Sequence, residues 1–483
     1  MLYLLLIFFP IAIAAATFVL RKASGLVIFA ALGAVLVQIL IAVQIPLDDP
    51  TRLLGVTLTL NALNRTFMLL FLGVGGFLIV AAYHLPHGEN FVPITLLTLA
   101  QICGVLLLQD PFITALLLVA TGLTAVLAIV DLPAGTSQLV GTRAIAAALK
   151  YLVLTVVAGT LMYIAFVLTD FFSPGERPNQ ISPARFILAL LAVSFAVRMA
   201  LVPFHTWLMD LVDHGALLVA GLVAALLNTT SLLVLILTFQ SYPSLLIEGE
   251  GALTVMRIGA ATSVALASVL MLGQASLRRT ISYLIFVDCG MVFYALASFS
   301  TLGLTGAILA SLSQVLAIAL IFISLGLLER PDGRTPSLVR RDLLRRWPVA
   351  GAGLIVGVLT LLGLPPFSGA MGRLLIYQAA AAHGQGELLV LIGATVLAGL
   401  GVARAAYQYL LGPSDEAPAV EPLLLGETEL DRPAPRRLEP EPASTAVLTM
   451  LLLGACLAVG LYPGPLLATI AEALLSLTFL RAL

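Results

Sequence analysis

Charge is what this sequence has least of. Only 10% of its 483 residues are Asp, Glu, Lys or Arg, against 60% that are hydrophobic. A mean hydropathy of +1.10 is more apolar surface than a fold in water can hide, so the chain reads as an integral membrane protein. Cysteine is nearly as scarce. Cys103, Cys289 and Cys456 each stand alone in an apolar segment, with no Cys-x-x-Cys or histidine cluster beside them, so no zinc or iron–sulfur site is legible. The net charge of −1 provides no basic face for nucleic acid, and no glycine-rich phosphate loop follows a strand pattern. No cofactor is expected to bind this chain. Alternating strand patterns are absent too, leaving helices to satisfy the backbone in lipid.

What is present is a series of long apolar runs with polar punctuation. They fall at 1–20, 24–44, 66–83, 91–109, 111–130, 145–169, 185–208, 214–240, 254–273, 279–298, 303–328, 347–380, 387–411 and 445–463, about fourteen transmembrane helices. The first run has no basic residues before it, and Arg21 and Lys22 after it, the pattern of an uncleaved first helix. With the N-terminus outside, the inner connections carry Arg21, Lys22, Arg143, Lys150, Arg278, Arg279, six arginines in 330–346, Arg432, Arg436 and Arg437, and the outer ones Arg52, Arg65, Arg177, Arg185, Arg257 and Arg481. Fifteen cations against six predict both termini outside, since the number of passes is even. Residues 412–444 are rich in Pro and Glu and predict a flexible cytoplasmic loop.

Two runs are interrupted. The run 347–380 is too long for one pass, roughly 51 Å as a helix against a hydrocarbon core of roughly 30 Å. It contains "GLPPFSG", with Pro365 and Pro366, and Arg373 two turns beyond. The run 185–208 carries Arg198 and then Pro203. A cation beside a proline interruption, near the end of each of two five-span blocks, predicts inverted repeats with broken helices 7 and 12. The expected organisation is three N-terminal helices in 1–90, a first repeat in 91–240, a second in 254–411, the loop 412–444, and a last helix and tail in 445–483.

Buried ionisable groups in a membrane are the first candidates for function. Arg198 lies about thirteen residues into its run, and Asp288 in the middle of the tenth is the nearest acid by depth. Asp288 is expected to pair with Arg198 or Arg373, or to carry protons. Asn228 and Gln314, deep in spans 8 and 11, can bridge water but cannot change charge. Lys150 enters span 6 as an interfacial anchor or the mouth of a proton path. His205 and Trp207 follow the Pro203 break, where the histidine is expected to cap loose carbonyls. Arg404, close to the end of its span, is expected to snorkel to the interface.

The segments "RMALVPFHTWLMD", "LGQASLRRTISYLIFVDCGMVFY", "LTLLGLPPFSGAMGRLLIY" and "AALKYLVLTVVAGTLMYIAF" resemble signature segments of the antiporter-like membrane subunits of respiratory complex I (NADH-quinone oxidoreductase) and of Mrp-type cation/proton antiporters. The shorter N-type subunit is the most similar type. The resemblance implies proton or sodium transfer along a central polar axis within a multisubunit complex. NADH, quinone and the redox centres would belong to partner subunits, and this chain to the inner (plasma) membrane. It also exposes departures. Arg198 and Arg373 stand where the family has lysines in helices 7 and 12. The helix 5 glutamate is missing, Asn228 replaces a helix 8 lysine, Asp288 and Gln314 replace histidines, and Ile318 a lysine. Arginine stays protonated where lysine can release its proton. A diverged or non-pumping proton-translocation subunit is therefore expected. The rivals are an Mrp-type sodium/proton antiporter, an inorganic-carbon transporter membrane subunit, and a structural scaffold between pumping subunits.

Overall fold

The computed structural model of the chain describes residues 1–53, 55–133, 136, 138–171, 183–329, 347–411, 441 and 443–476. Apolar runs become helices because a helix satisfies its own backbone, and short polar side chains fix where several begin. Asn61 accepts from the Asn64 amide at 2.7 Å at the start of α3, Ala62–Ala82. Asp110 accepts from Phe112 and Ile113 at 2.9 and 3.2 Å, with Pro111 in the first turn of α5, Pro111–Val130. Ser276 and Ser300 do the same for α12, Leu277–Ala297, and α13, Thr301–Leu328. Each cap fills amides that the first turn leaves without carbonyl partners.

The remaining helices are α1 (Leu2–Val19), α2 (Ser24–Gln44), α4 (Phe91–Leu107), α6 (Gln138–Asp170), α7 (Pro183–Arg198), α8 (Thr206–His214), α9 (Leu217–Ser241), α10 (Pro243–Glu248), α11 (Glu250–Leu272), α14 (Pro348–Leu362), α15 (Gly369–His383), α16 (Gln385–Ala405), α17 (Ala443–Leu461) and α18 (Gly464–Ser476). A two-stranded antiparallel hairpin, Thr51–Leu53 with Val56–Leu58, closes the connection between α2 and α3. Among the described residues eleven helices are long and apolar enough to cross a membrane. Fourteen passes follow only if α4 is added and each broken helix, α7–α8 and α14–α15, counts once. The C-terminal tail differs from expectation in forming the apolar helix α18. The loop 412–444 lies almost wholly outside the described residues, and so do the six arginines of 330–346.

Burial sorts the helices. Windows of α9, α12 and α13 are 94% buried, whereas those of α1, α16 and α17 are 28% buried and α2 39%. The three central helices bring Asn228, Asp288 and Gln314 inward, and the outer ones show apolar side chains to lipid. Gly372 sets how closely α15 lies on α13, since a Cβ there would stand 2.7 Å from the Ala310 nitrogen.

Both proline interruptions break their helices, and they do so alike. In the first, Ala200 has φ +57°, the Leu201 amide donates to the Ala196 carbonyl at 2.8 Å, and the Phe204 amide to the Leu201 carbonyl at 2.6 Å. In the second, Gly363 has φ +74°, the Leu364 amide donates to Leu359 at 3.1 Å, and Phe367 to Leu364 at 3.1 Å. Val202–Pro203 and Pro365–Pro366 are both cis. Every pair is offset by the same 163 positions (366 − 203), and the sequences "LVPF" and "LPPF" coincide under it. Two copies of one break, met from opposite sides, are what an inverted repeat requires.

Candidate functional site

Arg198 is the last residue of α7, where a cation meets the negative end of the helix dipole. Its Nε donates to Ser231 Oγ of α9 at 3.2 Å and its Nη2 to the Leu118 carbonyl of α5 at 3.0 Å. Nη1 is buried with no partner. The residue is 8% exposed, in a small cavity it shares with Tyr151, Thr155, Trp207, Asn228 and Ser231. The Trp207 indole donates to the Val197 carbonyl at 2.9 Å, an acceptor that the break leaves with only a long contact from the Ala200 amide, at 3.4 Å.

The acid expected beside Arg198 is elsewhere. Asp288 Oδ1 accepts from Arg373 Nη2 at 2.7 Å, and the same nitrogen reaches the Leu361 carbonyl at 2.5 Å. These side chains are 5% and 6% exposed. Under the offset of 163, Leu361 is the counterpart of Arg198, and Arg373 that of Asp210. The two cations therefore flank their breaks from opposite sides: Arg198 five residues before Pro203, Arg373 seven after Pro366. Of the two partners expected for Asp288, that geometry selects Arg373, and it leaves Arg198 facing neutral acceptors.

Asn228 Nδ2 lies 3.6 Å and Gln314 Nε2 3.1 Å from Cys289 Sγ. Sulfur is a weak acceptor, but the three groups join α9, α13 and α12 beside Asp288, and Asn228 also lines the Arg198 cavity. A π-helical turn, Leu222–Leu227, precedes Asn228 and rotates it relative to an unbroken α-helix. His205 does not cap carbonyls: its ring stacks on Phe286 at 4.9 Å and 10°, and its Nδ1 is buried without a partner.

Lys150 is tied to the helix that follows the first break through an ion pair with Asp210 of α8. Arg279 pairs with Asp213. Arg278 pairs with Glu329 and donates to the Val212 and Asp213 carbonyls at 3.2 and 3.1 Å. Cations thus clamp α8 from α6 and α12. Arg404 donates to the Leu272 carbonyl, at the end of α11. At the opposite ends of the helices is a cluster that sequence reasoning missed: Arg257 Nε donates to Glu387 at 3.0 Å, and Tyr294 Oη to the same carboxylate at 2.5 Å. The available signal was Tyr294, close to two turns from Asp288 on the same helix.

Residues 137–398 match the family described as NADH:quinone oxidoreductase/Mrp antiporter, transmembrane. NADH-quinone oxidoreductase subunit 14 of Thermus thermophilus is 30% identical over 334 residues, 67% of this chain and 69% of that one. Subunit N of Desulfovibrio desulfuricans is 28% identical over 298 residues, 58% of this chain and 54% of the relative. The chain thus spans about half the length of several of the curated relatives it matches, with 44% and 60% in two others. A chain of the Mrp complex from a Dietzia species has the same fold, with a TM-score of 0.79 at 18% identity, covering 99% of this chain and 98% of that one.

Proposed function

This chain belongs to the NADH:quinone oxidoreductase/Mrp antiporter transmembrane family, and from that premise we propose that it is a membrane-arm subunit of a multisubunit, NADH-quinone oxidoreductase-like complex. It is a diverged proton-translocation subunit in which one half has lost its switch. The observation that carries this reading is the contrast between the two buried arginines: Arg373 holds Asp288 at 2.7 Å, and Arg198 holds only a hydroxyl and a carbonyl. Arginine cannot cycle its proton. A carboxylate can, so Asp288 is the group on the axis able to take and pass protons, with Arg373 as its counter-charge. Asn228 and Gln314 are neutral relays and Lys150 anchors the inner end. The breaks at Pro203, Pro365 and Pro366 open carbonyls at Val197 and Leu361, which Trp207 and Arg373 use.

In this reading NADH and quinone react on partner subunits, and the neighbours are other membrane-arm subunits in the lipid bilayer. The location is the cell inner (plasma) membrane, with both termini outside. Functional division follows 1–90, 91–240, 254–411, 412–444 and 445–483. The family description joins two complex types, so a sodium/proton antiporter assembly is the second reading.

The test is to purify the native complex through a tag on this chain and identify its subunits. The proton-to-electron ratio is then measured in vesicles. Asp288→Asn is expected to lower that ratio while electron transfer continues, and Arg198→Lys to leave it intact or raise it. An unchanged ratio in Asp288→Asn rejects the pumping role in favour of a scaffold. Small antiporter subunits in place of quinone-reductase subunits select the second reading.

A further inference from the structure

Arg198 is a buried, permanent cation, and among the described residues its partners are neutral. A charge of that kind in a membrane interior needs a counter-charge or water. The cavity beside it has room for about one water-sized occupant. Several of the groups facing it can donate. Arg198 Nη1 is buried with no partner. Tyr151 and Thr155, each with a hydroxyl able to donate, line the cavity as well. The Asn228 amide is held only by a sulfur at 3.6 Å. Two of the acceptors nearby are already engaged: the Ser231 oxygen takes Arg198 Nε at 3.2 Å, and the Val197 carbonyl takes the Trp207 indole at 2.9 Å.

We propose that this cavity is an anion site, in which the Arg198 guanidinium with Tyr151, Thr155 and Asn228 holds a single small monovalent anion of halide size, chloride under ordinary conditions. Among anions, size favours a monatomic one, which is only a little larger than a water and needs the lining side chains to give slightly. A planar or tetrahedral oxyanion needs several times the space, and a cation meets a fixed positive charge. The anion stands in for the carboxylate that Arg373 has and Arg198 lacks. The inference goes beyond the proposed membrane-arm role and does not rest on it, because it concerns equilibrium binding to the purified chain.

Thr121 provides the decisive variant. Its hydroxyl donates to the Leu118 carbonyl at 2.6 Å, and Arg198 Nη2 donates to the same oxygen at 3.0 Å. A near-isosteric Thr121→Asp therefore sets a carboxylate beside the guanidinium and supplies an internal counter-charge. The chain has two tryptophans, so a Trp347→Phe background leaves Trp207, which lines the cavity, as the sole indole. The full chain in lipid nanodiscs is titrated with bromide. Trp207 fluorescence should show saturable quenching that chloride competes away and sulfate does not. Thr121→Asp and Arg198→Gln should each weaken the apparent affinity at least tenfold, with folding checked by size exclusion. If Arg198→Gln fails to fold, Thr121→Asp decides. Quenching that is linear in bromide, or saturable quenching equally strong in the folded variants, overturns the proposal.

Discussion

Removing Asp288 tests how much the second break depends on its ion pair. Asp288→Ala leaves Arg373 in place, 4% exposed, with Nη1 already unpartnered and one bond left, to the Leu361 carbonyl. Breaking a buried pair from one side costs about 3–5 kcal/mol. Burial on both sides, at 5% and 6% exposure, gives no solvent screening to reduce this. The retained carbonyl bond places the expected loss in the lower part of that range, roughly 3–4 kcal/mol. Arg373→Met should cost less, because an abandoned aspartate can neutralise itself with a proton and an abandoned arginine cannot. The double variant Asp288→Leu with Arg373→Met should return to within about 1 kcal/mol of the parent or exceed it, since apolar replacement of a buried pair is often neutral or stabilising. Unfolding free energies from detergent titration of the parent, Asp288→Leu, Arg373→Met and the double variant form a double-mutant cycle, with Asp288→Ala measured beside it. The reasoning fails if Asp288→Ala matches the parent, or if the single losses add in the double variant.

Two further perturbations follow from the breaks and the topology. Ala200→Gly should be neutral or stabilising by about 1 kcal/mol, because Ala200 holds the left-handed backbone for which its counterpart is a glycine. Gly363→Ala should destabilise by more than about 1 kcal/mol, since the added Cβ would sit 2.6 Å from the Cβ of Arg373; equal effects at both sites in thermal unfolding would refute the equivalence. Single cysteines at Ser337 and Ser414, which lie outside the described residues, should resist an impermeant external thiol reagent in intact cells, and labelling at both would invert the orientation.

The parts of this molecule legible from sequence were those fixed along one helix. Pro203 and Pro366 break helices for local reasons, a lost amide and a steric clash, and Asp288 is at mid-depth because of its distance from both ends of an apolar run. What was not legible depended on how helices meet. Arg198 and Arg373 have similar settings in sequence, and only packing decides which one reaches Asp288. The π-helical turn before Asn228, the choice of Trp207 over His205 as the carbonyl cap, and the Arg257–Glu387–Tyr294 cluster are likewise matters of neighbours. The alignment of the two breaks could have been read from "LVPF" and "LPPF". The unequal placement of their arginines was also in plain view, since it is a matter of counting from those motifs.

Helix α6 has 33 residues, about 50 Å of rise, and Lys150 divides it unevenly. The twenty residues after Lys150 rise about 30 Å, the thickness of a typical hydrocarbon core, and the twelve before it project about 18 Å beyond. If those twenty residues fill the core, Lys150 would meet the water boundary, and through Asp210 it would hold α8 there. A bilayer a few ångströms thicker draws this half-exposed pair, at 41% and 32%, beneath the headgroups, where losing water costs it free energy. The helix responds by straightening its tilt or by lifting α8 with it. Through that one pair, the height of the broken helix would follow membrane thickness, and so lipid composition.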